Sequence, residues 1–118
     1  DDIISFINNV KLNGKIVRPA GTGHHFNKIL TNDYIISVEN INHIQINISD
    51  ESVLVGAGAT VGDVEDLLHE LGYILPGFGN AQFQRFGGML GTGVGNCFGS
   101  MSKYATDIWL IDGDGNDV

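Results

Sequence analysis

The sequence predicts an α+β domain in which short helices alternate with short β-strands that pair in mixed sheets. Two segments have apolar residues at helical spacing, several short runs are rich in β-branched residues, and some of these runs are close enough to form hairpins. The chain has 118 residues, of which 42% are hydrophobic, which is enough for one domain with a modest core. We therefore treat residues 1–118 as one domain.

Two helices are predicted from the spacing of apolar residues. The first covers the segment DDIISFINNVKLNG, with one apolar face and Gly14 as its C-cap. The second covers TVGDVEDLLHELG, where Thr60 and Asp63 match a capping box and Gly72 follows the last apolar residue.

Five short strands are predicted, in KIVRPA, YIISV, HIQINI, SVLVGAG and TDIWLID. The first is expected to end at Pro19, because proline cannot donate a hydrogen bond to a central ladder. HIQINI and SVLVGAG are expected to form a hairpin, and GDGN is expected to form a hairpin turn after the last strand.

Charge and composition exclude several classes of protein. The chain carries 14 acidic and 6 basic side chains, a formal net charge of -8, which repels nucleic acid and anionic membrane surfaces. No apolar segment is long enough to span a bilayer. One cysteine, Cys97, excludes an internal disulfide framework. A cytoplasmic location is expected by default.

Two glycine-rich segments indicate a binding site for a phosphate-bearing ligand. The first is GTGHHF, Gly21–Phe26, and the second is Gly87–Gly99, which contains six glycines. Bare backbone N–H groups in tight turns form concavities that bind anions, so two such segments could clamp a diphosphate from both sides. Neither segment matches the dinucleotide-binding or P-loop pattern, which excludes both of those folds. The alternative is that the glycines only make turns.

The order of the motifs adds a family resemblance. VRPAGTGHHFNKI, VLVGAGATVGDVEDLLHELGYILPGFG, RFGGMLGTGVGN and FGSMSKYATDIWLIDGDG follow one another between about Ile16 and Gly115. This order resembles the FAD-binding domain of the vanillyl-alcohol oxidase superfamily, the p-cresol methylhydroxylase (PCMH) type, and most closely its sugar, alditol and aldonolactone oxidases. The resemblance implies two small α/β subdomains with mixed sheets that clamp FAD.

The resemblance also implies which residues bind the cofactor. In relatives the first glycine turn wraps the FAD diphosphate, the second segment lies along the diphosphate and ribityl chain, and a loop between them approaches the flavin. The residues at matching positions are Gly21, Thr22, Gly23, His24, His25, Phe26, Gly79, Asn80, Gly87, Gly88, Thr92, Gly93, Gly95, Asn96, Gly99 and Ser100.

His24 is the candidate for covalent attachment to the flavin, because it aligns with the histidine that many relatives join to the 8α-methyl carbon. The alternative is a histidine that packs on the cofactor or hydrogen-bonds to it without a bond. His25 stands where the family commonly has serine. A metal site at the two adjacent histidines is not expected, because no other histidine or cysteine has ligand spacing.

The function implied by the resemblance is a flavin-dependent oxidoreductase. It would oxidise a CH–OH group of a small sugar, alditol or aldonolactone, pass the hydride to the flavin, and use oxygen or another electron acceptor for reoxidation. An FAD-dependent hydroxy-acid dehydrogenase, a nucleotide-sugar reductase of the same fold and a non-catalytic nucleotide-binding module are the alternatives. The segment Gly91–Asn96 lacks the histidine of the sugar-oxidase pattern, which leaves the subgroup open.

The resemblance implies that the chain is an incomplete FAD-binding domain. Relatives have one more strand before the first helix, and they continue beyond the last strand into a substrate domain. We therefore expect the catalytic base to lie outside this chain and the 118 residues alone to be inactive.

Three further residues receive expectations of their own. Arg85 precedes the second glycine segment and would either meet a phosphate or form a surface salt bridge. Trp109 lies in an apolar run and is expected in the core, and Cys97 is expected to be a buried thiol.

The other titratable residues that stand out are expected at the surface. His43 and His69 have no ligand-like spacing to other residues. Asp112, Asp114 and Asp117 resemble part of a calcium loop, but the twelve-residue loop and its final glutamate are missing, so a solvated turn is expected.

Overall fold

The computed structural model describes residues 2–25, 32–76 and 81–118. Short helices and strands alternate along the chain, which confirms the α+β class. The elements are α1 (Asp2–Leu12), β1 (Val17–Ala20), β2 (Tyr34–Ser37), β3 (Ile44–Asn47), β4 (Ser52–Val55), α2 (Val61–Glu70), α3 (Phe86–Thr92), β5 (Gly95–Asn96), β6 (Gly99–Ser100) and a 3₁₀ helix (Met101–Tyr104).

Helix α1 forms where the apolar spacing predicts it and buries Ile7 and Val10. Its C-terminus is closed by Gly14, which has φ 64° and donates its N–H to the carbonyl of Lys11 at 3.0 Å. Such a left-handed residue favours glycine, because a Cβ there meets the backbone. The predicted C-cap is therefore confirmed.

Helix α2 has the predicted capping box at its N-terminus. The N–H of Asp63 donates to Thr60 Oγ1 at 3.1 Å, and the N–H of Thr60 donates to the Asp63 carboxylate at 3.3 Å. The helix runs to Glu70, is followed two residues later by Gly72 with φ 80°, and buries Val61, Val64 and Leu68. Both ends follow the local pattern, because each end depends on residues within a few positions of it.

The described sheets are short and two-stranded, and parallel and antiparallel pairs both occur, although no single described sheet is mixed as predicted. β1 pairs with β2 in parallel, whereas β3 with β4 and β5 with β6 form antiparallel hairpins. The prediction that the first strand ends at Pro19 is wrong by one residue, since β1 continues to Ala20. Among the described residues β1 pairs only with β2, so the edge of β1 away from β2 tolerates a residue that has no N–H to donate.

Helix α3 forms in the glycine-rich segment although glycine weakens helices. Two large apolar side chains, Phe86 and Met89, are buried on the same side of the helix and hold it to the core. The N–H of Phe86 donates to the carbonyl of Ala59 at 3.0 Å, and Gly93 ends the helix with φ 69°. Tertiary contacts therefore override the local preference.

The segment TDIWLID does not form the predicted strand. Residues 107–110 have no strand pairing, and the pairing that follows is a single bridge between Ile111 and Asp117. The hairpin turn after it is confirmed, because the backbones of Leu110 and Val118 exchange hydrogen bonds of 3.0 and 2.9 Å. Trp109 is 82% exposed, so its predicted place in the core is wrong: no described strand covers this segment.

The buried residues form one main cluster around α2 and α3. Partly buried residues of β3 and β4 pack against this cluster, whereas Ile7 and Val10 of α1 lie outside it. The cluster consists of Ala59, Val61, Val64, Leu68, Leu75, Phe86, Met89 and Met101. No helix in the described ranges has the length and apolar character that crossing a membrane requires.

Candidate functional site

The first glycine turn, Gly21–His25, continues directly from the end of β1. Gly23 has φ 74°, and the N–H of His25 donates to its carbonyl at 2.9 Å, which closes the turn. The N–H groups of Gly21, Thr22, Gly23 and His24 donate to no atom in the part of the chain that the structure describes. Such unpaired N–H groups in a tight turn are suited to an anionic ligand.

The turn lies against the residues that lead into α3. A Cβ placed on Gly21 would lie 3.7–3.9 Å from three carbon atoms of the Arg85 side chain. The imidazole of His24 meets the ring of Phe83 edge to face, with ring centroids 5.2 Å apart and an interplanar angle of 80°. The fold therefore brings the first glycine turn next to the residues that lead into the second glycine-rich segment, although about sixty positions separate the two segments in the sequence.

Arg85 forms the salt bridge that was one of its two expected roles. Its Nη2 lies 3.7 Å from the Glu39 carboxylate, and its Nη1 donates to the carbonyl of Gly58. The Arg85 side chain is only 20% exposed, so this contact is partly buried. A buried guanidinium needs such partners, because an unpaired charge away from water is costly.

The glycines at the start of the second segment differ in their surroundings. Gly87 packs closely on Ala57, since a Cβ on Gly87 would meet the Ala57 Cβ at 2.9 Å. A Cβ on Gly88 or Gly91 would have no atom within 4 Å, so the backbone at both positions faces open space on one side of α3. Thr92 donates its hydroxyl to the carbonyl of Gly88 at 2.9 Å, inside the helix.

The remaining predicted residues of the second segment form the β5–β6 hairpin. Gly95 must be glycine, because a Cβ there would lie 2.0 Å from the carbonyl oxygen of Gly99. Gly99 itself has φ 105°, and Ser100 Oγ accepts a hydrogen bond from the N–H of Ser102 at 3.3 Å. Cys97 is exposed in the turn of this hairpin, so the prediction of a buried thiol is wrong.

Several predicted residues lie outside what the structure describes. Phe26, Gly79 and Asn80 are not among the described residues, and for Asn96 only the backbone in β5 is described. His24 and His25 are both exposed.

The titratable residues that were expected at the surface are there. His43 and His69 are exposed, and within the described ranges no three His, Cys, Asp or Glu side chains are placed to hold a metal ion. The Asp112 carboxylate closes its own turn by accepting 2.8 Å hydrogen bonds from the side-chain amide and the N–H of Asn116. These hydrogen bonds, the side-chain one first, lower the pKa of Asp112.

Sequence reasoning missed three residues that support the site. Phe83 contacts His24, and Gly58 and Glu39 hold Arg85. No local pattern marks these residues, because each contact joins segments that are far apart in the sequence. The spacing of the glycines is the signal that the sequence offers for this site. It indicates where the backbone is accessible, but it does not indicate which side chains support that backbone.

These features fit a nucleotide cofactor that is held by its phosphates. The first turn offers unpaired N–H groups, and α3 offers open backbone at Gly88 and Gly91, where a side chain would fill the space. The protein is acidic, and the guanidinium of Arg85 is engaged by Glu39, so backbone groups are the suitable partners for an anionic ligand.

A domain with this fold and these glycine segments belongs to the class of nucleotide-cofactor binding domains. The family model described as "FAD binding domain" matches residues 1–117, so the chain belongs to the FAD-binding domain family. This match confirms the resemblance to PCMH-type FAD-binding domains and FAD as the cofactor. No curated protein matches the chain significantly.

Solved structures agree with the fold. A variant of Phl p 4 described as a glucose dehydrogenase superposes with a TM-score of 0.85 at 15% identity, covering 98% of this chain and 26% of that one. CrmK, a flavoenzyme of caerulomycin biosynthesis, superposes with a TM-score of 0.56 at 22% identity, covering 64% of this chain and 16% of that one. The chain thus spans about a quarter of the length of the first of these proteins.

Proposed function

We propose that this domain is the FAD-binding part of a flavin-dependent oxidoreductase that oxidises a CH–OH group of a sugar, alditol or aldonolactone. The observation that carries the proposal is that the first glycine turn lies beside the segment before α3, while the N–H groups of Gly21, Thr22, Gly23 and His24 have no acceptor among the described residues. When bound, FAD supplies the chemistry by taking up a hydride from the carbinol carbon. The substrate class follows from the family resemblance.

The role of the chain's own residues is to bind and orient the cofactor. In this proposal the N–H groups of Thr22, Gly23 and His24 hold the diphosphate, and the open side of α3 at Gly88 lets the cofactor approach the backbone closely. The proposal also assigns the hairpin residues Gly95–Ser100 to the cofactor site, as the family resemblance implies. The chain spans about a quarter of the first solved structure that it resembles, and the proposal leaves the substrate site, the catalytic base and the access of the electron acceptor to the rest of such a protein. The cytoplasmic location stays a prediction.

His24 is proposed as the covalent link to the flavin. Its imidazole is exposed and lies in a tight turn next to Gly23, so it is accessible to a cofactor bound at the protein surface. With FAD bound, an imidazole nitrogen of His24 would replace one hydrogen of the 8α-methyl group. Forming this link would release the imidazole proton and the C–H hydrogen, and dioxygen would accept the two electrons and two protons as hydrogen peroxide.

The test uses the protein in its natural length, with its visible spectrum and intact mass recorded before and after acid denaturation. The proposal expects a yellow protein that keeps the mass of one FAD. His24→Ala should release the flavin on denaturation, whereas the adjacent His25→Ala should retain it. Release from the unaltered protein, or retention in His24→Ala, would rule out His24 as the link.

The substrate class needs its own test. The flavin absorbance of the anaerobic protein should bleach with a sugar, an alditol or an aldonolactone. Bleaching with 2-hydroxy acids instead would favour the hydroxy-acid dehydrogenase, and bleaching by reduced nicotinamide nucleotide would favour the reductase. A protein that binds FAD but bleaches with none of these would be the non-catalytic module.

A further inference from the structure

We infer that Phe83 and Arg85 are positioning residues that hold the first glycine turn, Gly21–His25, in the conformation that receives the diphosphate of FAD. These two residues are called the turn clamp below. The inference rests on the proposed function, since it takes this turn to be the diphosphate site. It adds the residues that shape the turn, neither of which is itself expected to contact the diphosphate.

Glycines give the turn a flexible backbone that contacts from outside the turn can restrict. Gly23 has φ 74°, and within the described part of the chain a backbone hydrogen bond from His25 to Gly23 closes the turn. Glycine-containing segments lose more conformational entropy than others when they are fixed. If the turn samples many conformations, its apparent affinity for the ligand falls in proportion to the fraction of molecules in which the turn has the binding conformation.

Arg85 supplies one half of the clamp. Its side-chain carbon atoms lie beside Gly21, because a Cβ built at that position would be 3.7–3.9 Å from three of them. The guanidinium end is fixed by the Gly58 carbonyl and by Glu39. Residues outside the turn therefore hold the arginine stem in place beside Gly21.

The charge of Arg85 does not explain the arrangement. Its Nη2 is 3.7 Å from the Glu39 carboxylate, and its Nη1 is used by Gly58, so much of the positive charge is compensated within the protein. A residue meant to attract an anion would present its guanidinium to the ligand. Here the guanidinium fixes the stem, and the stem contacts the turn.

Phe83 supplies the other half. Phe83 is 55% exposed, and its ring meets the exposed imidazole of His24 at a centroid distance of 5.2 Å and an angle of 80°, the edge-to-face geometry that aromatic rings prefer. Phe83 and Arg85 stand on either side of the buried Gln84. One short segment therefore contacts the turn at its first residue and again at its fourth.

The experiment measures the turn in two ways, in the natural-length protein prepared without FAD. ADP is the binding probe, since it carries the diphosphate but cannot form a flavin bond. NMR of the His24 ring protons reports the ring-current shift that Phe83 imposes. The clamp variants are Arg85→Met and Phe83→Leu, and Gly23→Ala strains the turn directly. Matched controls are Arg18→Met, which removes the same charge, and Phe6→Leu, which removes the ring of the Phe6–Tyr34 pair.

The clamp predicts that Arg85→Met and Phe83→Leu each weaken ADP binding by about tenfold, as expected if about one tenth of the turns keep the binding conformation. Arg85→Met should also reduce the His24 ring-current shift although Phe83 is intact. Both controls should leave ADP binding and the His24 signals unchanged.

Three results would overturn the clamp. If Gly23→Ala weakens ADP binding and the clamp variants do not, the turn is the diphosphate site but needs no clamp. If Arg85→Met weakens ADP binding but leaves the His24 ring-current shift unchanged, Arg85 acts through its charge and does not hold the turn. If Gly23→Ala leaves ADP binding unchanged, the proposed site itself fails, and the clamp fails with it.

Discussion

Gly88 and Gly91 provide a test in which stability and cofactor binding change in opposite directions. Both lie in α3, and a Cβ on either would meet no atom within 4 Å. Replacing a helical glycine by alanine stabilises a helix by about 0.5–1 kcal/mol, so Gly88→Ala with Gly91→Ala should stabilise the FAD-free protein by about 1–2 kcal/mol. Glycine at these positions is therefore unfavourable for the fold alone.

With FAD present, the order of stability should reverse. FAD at about one hundred times its Kd adds about 2.7 kcal/mol to the free energy of unfolding of the parent protein. The two added methyl groups lie in the path of the cofactor and weaken FAD binding by about 1.4 kcal/mol each, which raises the Kd for FAD about a hundredfold. The same FAD concentration then adds only about 0.4 kcal/mol to the free energy of unfolding of the variant. The variant should then be about 0.3–1.3 kcal/mol less stable than the parent.

The assay is denaturant unfolding with and without FAD, in a His24→Ala background that keeps the cofactor exchangeable. Gly113→Ala serves as the control, because Gly113 also has open space around it but lies in the C-terminal turn. It should bind FAD like the parent. A variant at positions 88 and 91 that stays more stable at all FAD concentrations would refute the assignment of α3 to the cofactor site.

Three further predictions concern stability. Gln84 is buried, and its Oε1 has no hydrogen-bond partner among the described residues. Because a buried polar atom without a partner is costly, Gln84→Met should raise the free energy of unfolding by about 1–3 kcal/mol, measured by thermal or denaturant unfolding. A decrease in the free energy of unfolding would contradict this prediction. Thr60→Ala should lower the free energy of unfolding by about 1 kcal/mol through loss of the capping box with Asp63, and Thr60→Ser should not. Folding lowers the pKa of Asp112, chiefly through the side-chain hydrogen bond from Asn116. The Asp112 carboxylate should therefore stabilise the turn at pH values above the ordinary pKa of aspartate, and this stabilisation should be lost as the pH falls through the lowered pKa. Asn116 amide NMR signals that stay unchanged over that pH range would contradict this prediction.

Features that depend on neighbouring residues could be predicted from the sequence. The capping box of Thr60 and Asp63 and the glycine that ends α1, Gly14, are determined by residues within one helical turn. The β3–β4 hairpin has its two strands only a few residues apart. The two glycine-rich segments could be predicted as bare backbone, because glycine is costly where nothing requires it.

Features that depend on distant residues could not be predicted. α3 forms in a glycine-rich segment because Phe86 and Met89 are buried against a core that other elements build. Trp109 is exposed because the described residues offer its segment no strand partner. The contacts of Phe83 with His24, and of Arg85 with a carbonyl 27 positions away, follow from the fold and leave no local pattern in the sequence.

The central claim is that the N–H groups of the first glycine turn hold the diphosphate of FAD. The most direct measurement is a crystal structure of the natural-length protein with FAD bound. The account predicts diphosphate oxygens at about 2.7–3.2 Å from the backbone nitrogens of Thr22, Gly23 or His24, with the cofactor passing the open side of α3 at Gly88. A diphosphate bound elsewhere, with these N–H groups facing solvent, would contradict it.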